Sequence, residues 1–168
     1  MATNAGARML AAARRFQLVG NPMRLEGYTL DGEPFDVSEL EGKVVLVDFW
    51  ATWCGPCIQE MPNILSNYAE YHDRGFEVVA ISVDRELEDL ERYVEKEEPP
   101  WTILADYHKK VDAENRISTY YGVSGIPTTI LIGPDGNVVS LNCRGKRLGA
   151  ALKRLLGRTS NRNGRSRS

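Results

Sequence analysis

Two segments of the chain are apolar almost without interruption: KVVLVDFW, Lys43 to Trp50, and FEVVAISVD, Phe76 to Asp84. Runs of that length, rich in β-branched and aromatic residues, are how strands covered on both faces read. One charge, Asp48, interrupts the first of them. Elsewhere the apolar positions fall at helical spacing. Ile58, Met61, Leu65, Tyr68 and Tyr71 mark a helix from about Pro56 to Asp73. Pro62 within it has no N–H to bond residue 58, so a kink is expected there, and Gly75 ends the segment. Leu87, Leu90 and Val94 stand among alternating charges from Glu86 to Glu97, the pattern of an amphipathic surface helix, which Pro99-Pro100 stops. Trp101 to Leu104 reads as a short strand. Asp112 to Tyr121 reads as a helix closed by Gly122, and Arg147 to Leu156 as a final helix with Leu148, Leu152, Leu155 and Leu156 inward.

Two hairpins complete the pattern. Met23 to Val37 turns at Asp31-Gly32, with Leu25, Tyr28, Leu30 and Phe35 as its apolar contacts; TTILIGPDGNVVSLNC, Thr128 to Cys143, turns at Gly133 to Gly136. The order is hairpin, β, α, β, α, β, α, hairpin, α. Strands alternating with helices imply βαβ units and therefore an α/β fold, a three-layer sandwich.

Length and charge narrow the possibilities. At 168 residues, 42% apolar and 26% charged, the chain suits one globular domain, placed at 21–157. Residues 1–20 read as an N-terminal extension, either a short helix over 7–16 with Leu10 and Ala13 on one side or the remnant of a preceding region. No secretory signal is evident in ARMLAAARRF. Residues 158–168, RTSNRNGRSRS, read as a disordered basic tail. The formal charge is −2, and setting aside the seven arginines of the two ends leaves the body at −9. An acidic body argues against nucleic acid as a partner. No stretch reaches the roughly 20 apolar residues of a membrane span.

Three cysteines are too few for a disulfide-stapled scaffold, and one CxxC with two scattered histidines makes a poor metal site. What gives Cys54-Gly55-Pro56-Cys57 its interest is its place between a buried strand and a helix. Cys54 falls at the helix N-terminus, where unpaired N–H groups and the positive end of the macrodipole stabilise a thiolate. Pro56 suits the first helical turn. An exposed, nucleophilic Cys54 and a more shielded Cys57 are expected; half of a zinc knuckle, or two ordinary buried thiols, is the alternative. Cys143 reads as a small buried thiol on the strand face of Val139 and Leu141. His72 and His108 sit in polar settings that read as exposed.

VDFWATWCGPC, Val47 to Cys57, resembles the active-site segment of thioredoxins. CIQEMP, Cys57 to Pro62, is more similar to the TlpA/ResA-like branch, extracytoplasmic thiol–disulfide oxidoreductases of the AhpC/TSA–thioredoxin superfamily. The likeness covers roughly residues 22–156 and includes the N-terminal hairpin, Pro62 and the loop Gly122-Val123-Ser124-Gly125-Ile126-Pro127-Thr128. It implies a thioredoxin fold with a central mixed β-sheet and an extra N-terminal β-hairpin. By position it implies that Pro127 is a cis-proline facing the dithiol, that Ile126 offers its backbone to substrate, and that Trp53 is a flat apolar plate beside the sulfurs, with Gly55 and Pro56 at the same surface. Asp48 matches the buried acid of thioredoxins, and Glu60 matches the acid beside the dithiol in the TlpA/ResA-like branch. One departure stands out: the lysine that accompanies the thioredoxin acid has no counterpart in FEVVAISVD.

The resemblance implies reduction of protein disulfides through a mixed disulfide, catalysed by Cys54 and Cys57 with Asp48 and Glu60 handling protons. It implies no cofactor beyond the redox-active pair, an upstream thiol electron donor, a monomer, and an extracytoplasmic location. Two other readings compete. A peroxiredoxin-type peroxidase would need a proline- and threonine-bearing stretch at wider spacing before its cysteine. A non-enzymatic binding domain of a larger secreted protein would need no reactive thiol.

Overall fold

Every residue of Val44–Trp50 is buried, and the segment forms the middle strand of a five-stranded sheet. The computed structural model describes residues 3–157; the basic tail expected at 158–168 lies outside the described residues. Along the chain the strands are β1 (Glu26–Tyr28), β2 (Pro34–Asp36), β3 (Val44–Trp50), β4 (Phe76–Ser82), β5 (Thr102–Ala105), β6 (Thr128–Ile132) and β7 (Val138–Ser140). The helices are α1 (Asn4–Phe16), α2 (Gly55–Tyr71), α3 (Leu87–Glu97), α4 (Ile117–Tyr120) and α5 (Lys146–Leu156).

The large sheet runs β5-β4-β3-β6-β7. Its β3, β4 and β5 are parallel, joined through α2 and α3 because parallel neighbours need a crossover, while β6 and β7 are antiparallel. The sheet is therefore mixed. β1 and β2 form a separate antiparallel hairpin, turned at Gly32 with φ +82°. On one face of the sheet Trp50, Met61, Leu90 and Leu148 pack together from β3, α2, α3 and α5. On the other, Phe49 and Val79 meet Leu25 and Phe35 of the hairpin and Ile117 and Tyr121 around α4. Those two cores are the interfaces of a three-layer α/β sandwich.

The local departures have identifiable causes. α1 begins at Asn4, capped by Thr3, whose Oγ1 accepts from Gly6 N–H at 3.2 Å. It buries Ala11 and leaves Leu10 exposed. It lies against Gly122, where a Cβ would come within 2.6 Å of Ala12 N, and Arg15 donates to the carbonyls of Tyr121 and Gly122. The helix expected over Asp112 to Tyr121 is instead a 3-10 turn at Ala113–Asn115, an extended Arg116, and α4. Asp106, at the end of β5, accepts from Ile117 N–H at 2.7 Å and Ser118 N–H at 3.2 Å, so a side chain distant in sequence caps α4 and sets its start. α2 runs on through Pro62, and its buried stripe is Cys57, Met61, Ile64, Asn67 and Tyr71, with Leu65 exposed. Asn67 tolerates burial because Nδ2 donates to Asn63 O at 2.9 Å. His108 is buried, not exposed, its ring stacked 5.9 Å from that of Tyr28.

Candidate active site

β3 runs directly into the CxxC. After Trp50 three residues carry the chain to Cys54, which holds the N-cap position of α2 in extended conformation (φ −85°, ψ 101°), its Sγ accepting from Cys57 N–H at 3.3 Å. Pro56 occupies the first turn, as its fixed φ and missing N–H allow. Cys54 and Cys57 are joined as a disulfide with Cα atoms 5.2 Å apart. Cys54 is 5% exposed and Cys57 1%. The expected exposed Cys54 is thus corrected for this oxidised state: its sulfur is bonded to Cys57 and packed in the cluster of Trp50 and Met61. Gly55 and Pro56 are exposed, and Trp53, 69% exposed, presents its ring at the surface next to Cys54.

The segment between β3 and Cys54 is held by a carboxylate that sequence reasoning passed over. Asp84, fully buried beyond β4, accepts from Thr52 N–H at 3.0 Å, from Thr52 Oγ1 at 2.6 Å and from Ser82 Oγ at 2.6 Å. Val83 N–H donates to Trp50 O at 2.8 Å beside it. The signal in the sequence was the acid closing FEVVAISVD, beside β4, which pairs with β3 throughout.

Asp48 lies inside β3, opposite Ala80 on one side and Thr129 on the other. Burial pushes its carboxyl up from 3.8 to about 8; the Glu60 charge acts in the same direction and Arg144 opposes both. Arg144, from the link between β7 and α5, is thus a cation whose charge acts on Asp48 in a chain with no lysine on β4. Glu60 is half-buried, and its Oε1 accepts from Asn63 Nδ2 and from Gly145 N–H, both at 2.7 Å, so it is not an outward helix residue. Asn63 Nδ2 reaches Gly145 O at 3.1 Å as well.

The Ile126–Pro127 bond is cis. Thr128 opens β6 opposite Phe49, which puts residues 126–127 at the sheet end where β3 leads to the disulfide, and Ile126 packs against the cluster containing both cysteines. Thr128 Oγ1 donates to Gly125 O at 2.6 Å across that loop. Cys143 is buried but not on a strand face with Val139 and Leu141: β7 ends at Ser140, and Cys143 N–H donates to Thr129 Oγ1 at 2.8 Å from the link that follows. Among the described residues no cluster of three or more His, Cys, Asp or Glu side chains is arranged to hold a metal ion.

The profile of the AhpC/TSA family matches residues 11–141. The chain belongs to the AhpC/TSA family. Within that family it is similar to the thiol-disulfide oxidoreductase ResA of Halalkalibacterium halodurans, 34% identical over 116 residues that cover 69% of this chain and 62% of the relative. ResA of Bacillus subtilis is 31% identical over 111 residues, covering 66% and 59%. The matched segment thus spans about three fifths of these relatives' length. Among solved structures it is similar to the thioredoxin domain of a thiol-disulfide oxidoreductase from Bacteroides vulgatus, with TM-score 0.71 and 29% identity over 82% of this chain and 97% of that one. A thiol:disulfide interchange protein from Bacteroides sp. gives TM-score 0.70 and 28% identity, over 83% and 90%. The fold is the thioredoxin fold, as the WCGPC and GIPT segments led one to expect.

Proposed function

We propose that this chain is a thiol–disulfide oxidoreductase that reduces protein disulfides through Cys54 and Cys57. The observation that carries the reading is the Cys54–Cys57 disulfide at the N-terminus of α2, with exposed Trp53 on its rim and Pro127 at the same end of the sheet. ResA relatives named as thiol-disulfide oxidoreductases support it.

In the reduced protein the helix N-terminus favours Cys54 as thiolate. It attacks one sulfur of a substrate disulfide, forming the Cys54–substrate bond and releasing the other substrate sulfur as a thiolate that takes up a proton. Cys57 then loses its proton and attacks Cys54 Sγ; the second substrate sulfur leaves, and the pair is oxidised by two electrons. Asp48 in its ionised form, which its carboxyl pKa of about 8 keeps as the minor form at neutral pH, takes the Cys57 proton, and the Glu60 charge disfavours a thiolate at Cys57. Trp53, Gly55 and Pro56 contact the substrate on one side. Pro127 and the backbone of Ile126 do so on the other, by a short β-type pairing. The electrons reside in the dithiol itself, so no further cofactor enters the cycle, and a second thiol protein restores the dithiol. The protein acts as a monomer in an extracytoplasmic compartment, a placement supported by its likeness to the TlpA/ResA-like branch.

Insulin reduction driven by dithiothreitol tests the reading. Wild type should speed the precipitation of the insulin B chain, and Cys54→Ser should return it to the uncatalysed rate. No acceleration would leave a binding domain in its place, and peroxide consumption without insulin reduction would leave a peroxidase.

A further inference from the structure

Beside Pro127 the surface opens into a shallow groove of about 270 Å³ whose walls come from three separate parts of the chain. Pro127 and Thr128 form one side, Asn142 and Arg144 of the link into α5 another, and Arg15 and Phe16 at the end of α1 the third. Phe16 is 66% exposed, an apolar ring on a groove whose Pro127–Thr128 side lies at the disulfide end of the sheet. The charges in it are of one sign. Arg15 and Arg144 both line it, and no acidic side chain does, although the body between residues 21 and 157 carries a strong excess of acid. Arg15 is fixed rather than floating: Nη1 donates to Gly122 O at 2.6 Å and to Tyr121 O at 3.3 Å, which holds a guanidinium at the groove edge without neutralising it. Arg144 follows Cys143, whose N–H is bonded to Thr129, and precedes Gly145, whose N–H is bonded to Glu60, so the backbone on both sides of it is anchored.

We infer that this groove receives the substrate chain flanking the target cysteine and selects acidic side chains in it, with Arg15 and Arg144 as specificity-determining residues and Phe16 as an apolar rest for the same segment. The inference rests on the oxidoreductase reading and names the substrate class of that site. A planar guanidinium pairs a carboxylate through two parallel hydrogen bonds, and two of them lining one groove from separate elements set register as well as attraction. The partner is therefore a protein whose reducible disulfide lies in an aspartate- or glutamate-rich segment. The end of α1 thereby becomes part of the substrate site.

The test uses two disulfide-bonded peptides of equal length, one with Glu and one with Lys flanking the cysteine, reduced in single turnover by the reduced full chain. The readout is the ratio of the two second-order rate constants within each protein, which cancels any change in the intrinsic reactivity of Cys54. Wild type should favour the Glu peptide by about tenfold at low ionic strength. The overall charge of −2 predicts the opposite order, so local charge and net charge are separated by sign. Raising ionic strength from about 0.01 M to about 1 M, which shortens the screening length from about 30 Å to about 3 Å, should bring the ratio towards one. Arg144→Glu should invert the ratio and Arg144→Lys should keep most of it; Arg15→Gln should reduce it. Equal rates for both peptides with wild type, or a ratio indifferent to Arg144→Glu, overturns the substrate class and leaves the oxidoreductase reading standing. Failure to reduce either peptide overturns that reading and this inference with it.

Discussion

Gly145 donates its backbone N–H to Glu60 Oε1 at 2.7 Å, which ties the helix bearing Cys57 to the link that carries Cys143 and Arg144. Asn63 Nδ2 bridges the same pair from the next turn of α2. Glu60 thus has two separable duties, an acceptor for the link and a charge near Asp48. Glu60→Ala removes both and should lower stability in urea by about 1–2 kcal/mol, the scale of a lost charge-assisted hydrogen bond in a half-buried site. Glu60→Gln keeps an acceptor oxygen and should lose less than half as much, yet still lower the apparent thiol pKa of the reduced protein, followed by thiolate absorbance. Superimposable thiol titrations for wild type and Glu60→Gln would make Glu60 a structural residue only.

Asp48 gives a pH dependence of definite sign. Its folded-state carboxyl is pushed up from 3.8 to about 8, so between those values the folded protein holds a proton that the unfolded chain has released. Raising pH through that window favours unfolding: stability is intact below the ordinary carboxyl value and falls as pH approaches the folded one, with a slope approaching about 1.4 kcal/mol per pH unit. The oxidised protein suits the measurement, since Cys54 and Cys57 do not titrate in it. Urea midpoints at pH 5 and pH 7.5 should fall with pH in wild type and be nearly flat in Asp48→Asn. Parallel behaviour of the two proteins would show that Asp48 is charged in the native state throughout.

The α/β architecture and the place of the dithiol were legible because they are local patterns. Val44–Trp50 reads as a buried strand from composition, and a CxxC that follows a buried strand and opens a helix needs no tertiary information. What was missed depends on pairs far apart in sequence. Asp84 was passed over because its donor, Thr52, lies 32 positions upstream. Arg144 belongs to the Asp48 environment only because the link into α5 returns beside β6. The split of the expected 112–121 helix follows from Asp106, a side chain outside that segment. Leu65 shares the helical spacing of Met61 and Tyr68 yet is exposed, because periodicity alone does not say which side of a long helix meets the sheet. His108 reads as exposed because Lys109 and Lys110 beside it are charged and exposed, while the ring stacked on it is that of Tyr28, in the hairpin.

Asp84 should matter to the loop before Cys54. Asp84→Ala strands the half-buried Thr52 N–H and should cost about 1–3 kcal/mol in denaturant unfolding. It should also slow exchange with a neutral small disulfide, because Trp53 and Cys54 lose their fixed approach. Asp84→Asn retains one acceptor oxygen and should recover part of both losses. Wild-type exchange rates in Asp84→Ala at a temperature where it stays folded would show that the loop is positioned without this carboxylate.

Cys143 should take no part in exchange. It is buried, its N–H is committed to Thr129, and burial raises its thiol pKa against the opposing pull of Arg154 and Arg147. Alkylation of the native reduced protein, read by peptide mass, should modify Cys54 first. Cys143 should follow about 100-fold more slowly, the protection that an opening cost of about 3 kcal/mol provides. Labelling of Cys143 at the rate of Cys54 would instead mark it as a third working thiol.

The division of labour between the two sulfurs is the centre of the account, and trapping measures it directly. With Cys54 attacking and Cys57 resolving, the Cys57→Ser protein should accumulate a stable mixed disulfide between Cys54 and a substrate protein, detected as a dithiothreitol-sensitive mass on non-reducing gels and by mass spectrometry. Cys54→Ser, treated identically, should trap little or none. Equal trapping by both variants, or trapping by Cys54→Ser alone, would contradict the assignment and with it the mechanism built on the helix N-terminus.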